Sequence, residues 1–196
     1  MILTVGREFG SGGHEIAQRL AEHYGIPLYD SNLLEEMSKS KNLDSEVLRE
    51  YDESKRKVIL SRTVRGMSSS PEHNLAQMQF DFLRKKASAG EAFVVVGRCS
   101  ETILKDYPDM ISVYVYGEKE AKVERITKLY GVSPAKAEKM MQETDKKRKL
   151  YHNSHCSTKW GASKTYDISI NSSKLGINGC VSIILEYVKV CTSTNQ

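Results

Sequence analysis

Gly6, Gly10, Gly12 and Gly13, with Arg7, Ser11 and His14 set among them, have the makings of an anion cradle. Glycine suits such a loop because its backbone bends through φ > 0, and because a Cβ would hold main-chain N–H groups away from an anion. A β-branched run from Ile2 to Val5 stops at Gly6, and helical periodicity resumes at Ile16, so the loop joins a strand to a helix. That helix offers its unpaired first-turn amides and the positive end of its dipole to the same anion. Phosphate is the anion this arrangement suits, and Gly6, Gly10, Ser11, Gly12, Gly13 and His14 are the candidates to hold it.

The loop is a variant. The usual nucleotide-phosphate loop reads G-x-x-x-x-G-K-[ST], its lysine reaching the outer phosphates and its hydroxyl holding magnesium. Here the step from Gly6 to Gly12 is one residue longer, Gly13 stands where the lysine would be, and Glu15 falls near the hydroxyl position. The dinucleotide fingerprint G-x-G-x-x-G is absent from the loop. A tight strand-to-helix turn that binds nothing is the other reading. If phosphate is bound, a cation must replace the lysine. A charged histidine is disfavoured at a helix N-terminus, so Arg7 is a better candidate than His14. Arg98 follows an apolar strand and one glycine, so its guanidinium should emerge at the strand's carboxyl end, able to grip two phosphate oxygens at once. The alternative for Arg98 is a surface ion pair.

Five short apolar runs must carry these residues: Ile2 to Val5, Ile26 to Tyr29, Phe93 to Val96, Ile111 to Tyr116 and Ile168 to Ile170. The unbroken Val94, Val95, Val96 is expected of a parallel strand covered on both faces, which predicts an α/β sandwich. Ile16 to His23 and Leu75 to Lys86 have helical spacing, the first ended by Gly25 and Pro27. Two charged segments, Leu33 to Pro71 with Gly66 near its end and Glu118 to Lys159, read as mobile covers or as solvated helical surface.

Composition sets the outer limits. At 196 residues, with no convincing linker, one domain over 1–196 is expected. A net charge of +4 is too small to argue for a nucleic-acid polymer and favours small anions. No membrane partner is expected, since no apolar run is read as approaching spanning length, and the chain is expected in the cytoplasm. Whether it forms a homo-oligomer is open. Cys99, Cys156, Cys180 and Cys191 have no close pairs, so neither a zinc cluster nor a disulfide framework is expected. His152 and His155 could share a helical face, a weak pointer to metal.

With these elements placed, the chain resembles the cytidylate kinase-like family, a branch of the nucleoside monophosphate kinases within the P-loop fold. The matching pieces are GREFGSGGHEIA at 6–17, IPLYD at 26–30, VVVGRCSETIL at 94–104, ETDKKR at 143–148 and KWGASKTYDISINSSKLG at 159–176. The resemblance implies a three-layer sandwich around a five-stranded, mostly parallel sheet, with an acceptor-binding insertion over about 31–90 and a lid over about 125–160. It implies ATP and Mg2+, with nucleotide substrates.

In the same family Arg98 and Asp30 fall at acceptor-binding positions. Cys99 stands where cytidylate kinases carry an aspartate, and Asn32 to Glu36 replace a Gly-Ala-Met-Tyr-Arg stretch, so the base and one phosphate contact depart from the pattern. Asp30 also reads as an N-cap for a helix near Leu33. Lys146, Lys147 and Arg148 correspond to a basic lid, with Arg125 one helix earlier, although the run also reads as a solubilising face. A cover bringing such cations to the transferring group could act where a fixed lysine is missing, which makes Arg7, Lys147 and Arg148 the catalytic candidates. No residue is assigned to the metal. The loop after the last strand, Asn171 to Gly176, lies against the donor base in related kinases. The expected activity is phosphoryl transfer from MgATP to a CMP- or dCMP-like acceptor. Transfer to a hydroxyl metabolite with Asp30 as base, and a nucleotide-binding module without catalysis, are the alternatives.

Overall fold

A computed structural model describes residues 1–41, 63–64, 67–68 and 71–193. Strand β1 (Ile2–Arg7) leads through the glycine loop into helix α1 (Gly13–Tyr24), followed by β2 (Leu28–Tyr29) and α2 (Leu33–Lys41). Two short antiparallel strands, β3 (Thr63–Val64) and β4 (Met67–Ser68), precede α3 (Pro71–Ser88). Then come β5 (Phe93–Val96), the one-turn helix α4 (Ser100–Ile103) and β6 (Met110–Tyr116). Helices α5 (Lys119–Tyr130) and α6 (Pro134–His155), strand β7 (Ile168–Asn171) and helix α7 (Ser172–Ser193) complete the chain. Most of the Leu33 to Pro71 cover, Gly66 included, lies outside the described residues.

The main sheet has the order β2-β5-β1-β6-β7, and all its pairings are parallel. β1 sits in the middle because nearly every residue along it is buried, which only a strand covered on both faces tolerates. On one face Leu3, Val5, Val94, Val96, Val113 and Val115 pack against Ile16 and Leu20 of α1 and Cys180, Ile184 and Val188 of α7. On the other, Ile2, Phe93 and Val95 meet Leu33 and Met37 of α2 and Leu75, Phe82 and Leu83 of α3. These are the three layers the resemblance implies. The strand order reverses on either side of β1, so the carboxyl ends of β1 and β5 flank the crevice where open α/β sheets take ligands.

The structure changes three expectations. β1 runs two residues past Val5, since Gly6 and Arg7 stay in register with Tyr114 and Val115. Gly6 is therefore a strand residue, and a Cβ on it would stand 2.8 Å from Tyr166 and 2.9 Å from Tyr114. β2 begins at Leu28 because the Ile26 amide closes the end of α1 on Ala21 and Pro27 has no N–H to offer.

The third concerns α7, which by length and composition is apolar enough to cross a membrane, contrary to the sequence expectation. Its Cys180, Ile184 and Val188 stripe packs on the sheet, as a core helix does.

The edge strand β7 is anchored by a carboxylate. Asp167 Oδ2 accepts 2.7 Å bonds from both the amide and the hydroxyl of the buried Ser112. Asp167→Ala strands both donors, and the expected loss of about 1–3 kcal/mol would be read in urea unfolding.

Candidate active site

The cradle is built where β1 hands over to α1. Gly10 and Gly12 have φ of 82° and 79°, the left-handed region that favours glycine, and no side chain caps the helix at Gly12. The first-turn amides of α1 have no intrahelical acceptor and face the loop's opening. Ser11 is buried, its hydroxyl donating to the Glu8 carbonyl at 2.9 Å, so it braces the loop from within.

Position 13 explains the missing lysine. A Cβ on Gly13 would stand 2.5 Å from Arg7 Cβ, 3.1 Å from Arg7 Cγ and 3.3 Å from Val115 Cβ. The space a side chain at 13 would use is filled by the stem of Arg7, which passes under the loop and brings its guanidinium against Gly97. The cation is thus delivered from the end of β1 instead of from the helix.

Three guanidiniums converge there. Burial lowers the Arg7 pKa to about 9, and the nearby charges of Arg148 and Arg98 push in the same direction, with Asp30 and Asp145 opposing. Arg7 stays charged at neutral pH. Arg148 donates to the Arg7 carbonyl at 3.1 Å and lies 5.6 Å from the centre of the Phe9 ring. Burial lowers its pKa as well, partly offset by Asp145. Arg98 sits in a turn of three consecutive left-handed residues, Gly97, Arg98 and Cys99, with φ of 72°, 60° and 55°. Two of these are not glycine, and such backbone is held only where the surroundings impose it.

Distant residues pin the loop, and their partners are too far apart in the chain for spacing to reveal them. Glu8 Oε2 accepts from Lys122 Nζ at 2.7 Å and from the Gly117 amide at 3.1 Å. Asp145 Oδ1 accepts from the Phe9 amide at 2.7 Å, while burial raises its pKa against that bond. Phe9 also packs with Ile126, Ala137 and Met141, which docks the α5 and α6 pair onto the cradle. Glu15 is bound by Arg125 and by Arg19.

The remaining expected residues divide. His14 Nδ1 meets Asp30 Oδ2 at 3.1 Å, beside the cradle. Asp30 Oδ1 accepts from the Asn32 amide at 3.0 Å, a turn just ahead of α2 that bonds no helical amide, so Asp30 is not the N-cap the sequence suggested. Lys147 and Lys146 are exposed on α6 and are not gathered with Arg7 and Arg148, because successive helical residues point about 100° apart. Behind the cradle, a cavity of about 500 Å³ is lined by Gly10, Ser11, Arg125, Ser172, Ser173 and Gly176, among others. It joins the glycine loop to the turn after β7.

The Arg125 hydrogen bond holds the Glu15 carboxyl below its ordinary value, with Arg19 adding to it and burial opposing. A carboxylate with a lowered folded-state pKa stabilises the fold above its unfolded value, and that contribution is lost as pH falls through the folded value. Thermal unfolding followed from neutral pH to about pH 3 should show a smaller acid loss in Glu15→Gln than in the parent chain.

Comparison with known proteins agrees with this fold. The model of the cytidylate kinase-like family matches residues 2–174. The cytidylate kinase of Methanopyrus kandleri is 26% identical over 149 residues, which are 74% of this chain and 71% of that protein. A crystal structure of a protein from Eubacterium ventriosum is 40% identical with a TM-score of 0.77, covering 96% of this chain and 98% of that one. Shikimate kinase from Acinetobacter baumannii shares the fold, with a TM-score of 0.54 at 14% identity over 96% of this chain and 93% of its own.

Proposed function

The chain belongs to the cytidylate kinase-like family, and we propose that it transfers the γ-phosphoryl group of MgATP to a nucleoside monophosphate such as CMP or dCMP, in the cytoplasm. The convergence of Arg7, Arg98 and Arg148 around an uncapped helix start carries this reading. Burial and the nearby charges of Arg148 and Arg98 work against the charged form of Arg7, and a phosphate chain placed among the three guanidiniums would favour it.

In this reading the amides from Gly10 to His14 hold the donor phosphates, and the cavity behind them takes the donor base. Arg7 lies under the transferring group and Arg148 beside it, where charge spreads over the equatorial oxygens. Arg98 grips the acceptor phosphate across the crevice. A monophosphate oxygen is already anionic, so no base is needed.

Magnesium, when bound, would supply charge neutralisation to the transferring phosphates. The donor set fits an ion held mainly by phosphate and water: Glu8, Glu15 and Asp145 are each engaged by a cation or amide, and Asp30, which meets His14 and the Asn32 amide beside the cradle, would at most orient one of the ion's waters.

The test is a coupled ADP-release assay across nucleoside monophosphates and hydroxyl acceptors. Turnover of a pyrimidine monophosphate supports the proposal. Turnover of hydroxyl acceptors alone, with Asp30 then serving as base, overturns the acceptor, and ATP binding without any transfer overturns the activity.

A further inference from the structure

A second cluster of chemistry-bearing side chains lies where the carboxyl end of α6 meets the Gly97–Arg98–Cys99 turn. Glu101 Oε1 and His152 Nε2 are 2.7 Å apart, with both side chains almost fully buried. The ligand atoms of Glu101, His152 and Cys156 all lie within 4.8 Å of one another, a grouping that does not include Cys99. Cys156 packs against the small core cluster that contains Cys99, which brings the two thiols within interaction range. His155, the other histidine of this turn, faces elsewhere, against His73, Phe80 and Tyr151.

The histidine's second nitrogen shows what this arrangement lacks. His152 Nδ1 is 3.3 Å from Asn153 Oδ1. The same oxygen accepts from the Trp160 amide at 3.2 Å, which fixes it as an acceptor. Nδ1 therefore carries a proton, and Nε2 meets the carboxylate either as the second N–H of a charged imidazolium or as a bare acceptor. Two buried acceptors this close need a cation between them, either a proton or a metal ion.

We propose that Glu101, His152 and Cys156 hold a tetrahedral zinc ion, with the neighbouring Cys99 completing the set by a side-chain shift, and that the site ties the turn bearing Arg98 to the helix bearing Arg148. Two sulfurs, an imidazole nitrogen and a carboxylate oxygen make a zinc donor set. Cys99 and Glu101 flank the start of α4, while His152 and Cys156 stand four residues apart at the end of α6, so each pair is already oriented by a helix. Zinc bonds of about 2.0–2.3 Å place tetrahedral ligands roughly 3.3–3.8 Å apart, so Glu101 and His152 need part by less than about 1 Å. Asn153 supplies the outer partner that orients a ligating histidine. Arg98, close enough to act on Cys99 electrostatically, offsets the excess negative charge of two thiolates and a carboxylate. The absence of close cysteine pairs argued against such a cluster; folding brings positions 99 and 156 together.

Cobalt(II) titrated into the reduced, metal-free chain tests the site. The expected result is one equivalent bound with the intense visible bands of tetrahedral cobalt and a thiolate charge-transfer band, both displaced by zinc(II). His152→Ala and Cys156→Ser lose these bands, Cys191→Ser keeps them, and Asn153→Ala keeps them with affinity about 10–100-fold weaker. Circular dichroism shows that each variant is folded, and zinc-edge X-ray absorption on the parent chain gives an independent count of two sulfur ligands. Weak octahedral bands, absence of binding by the reduced chain, bands that survive Cys156→Ser, or a Cys99–Cys156 disulfide in place of metal would each overturn the assignment.

Discussion

Replacing Arg7 by methionine is expected to lower kcat for phosphoryl transfer by about 10²–10³-fold, about 2.7–4 kcal/mol of transition-state stabilisation. On the proposed reading the loss is large because Arg7 would stand in for the lysine of the ordinary loop, and the neighbouring amides cannot supply a full charge. Methionine keeps an unbranched stem beside Gly13 and Val115 and removes the charge. Folding disfavours the charged form of Arg7, through burial and through Arg148 and Arg98. The ligand-free variant should therefore be no less stable than the parent, and its melting temperature should hold or rise while turnover collapses. A residue serving only as packing would show the reverse, lower stability with kcat retained. Moving the lysine back does not rescue the parent chain, because a side chain at 13 meets the Arg7 stem. Stopped-flow or coupled kinetics beside thermal unfolding separates these outcomes.

Arg98 is the second large effect. Arg98→Ala should cost about 2–4 kcal/mol in kcat/KM, carried mainly by the KM of the acceptor, since a bidentate grip on phosphate is lost while the donor side is intact. Arg98→Lys restores the charge without the fork and should recover only part of that loss. Arg98→Gly is the sharper variant. At a φ of 60° a Cβ is strained by about 1–2 kcal/mol, so glycine should raise stability by about that amount while abolishing acceptor binding. A turn that holds two non-glycine residues in this region gives up stability for placement, as functional sites do.

The frame of this protein is legible in its sequence because local rules suffice for it. The valine run at 94–96, the glycines after Val5 and the Gly25–Pro27 stop each declare a strand, a loop and a helix end within a few residues. Arg7, His14, Asp30 and Arg98 could be proposed because they adjoin such signals. What escaped is what folding brings together across long separations. Glu8 with Lys122, and Phe9 with Asp145, are paired over more than a hundred positions, and no spacing announces them. Arg148 and Lys147 look equivalent in the run KKRK, yet one helical step turns the first toward Arg7 and the second to solvent. The proximity of Cys99 and Cys156 escaped for the same reason, since they become neighbours only where α6 packs on the turn after β5.

The reading of the glycine loop rests on a physical exchange, an arginine beneath the loop in place of a lysine within it. Isothermal titration calorimetry of MgATP into the parent chain and into Arg7→Met tests this most directly. One site per chain in the parent, weakened by added salt and lost or at least tenfold weaker in Arg7→Met (about 1.4 kcal/mol), is the result this structure predicts. Absence of heat in the parent up to millimolar nucleotide, or equal affinity in the two proteins, would contradict it.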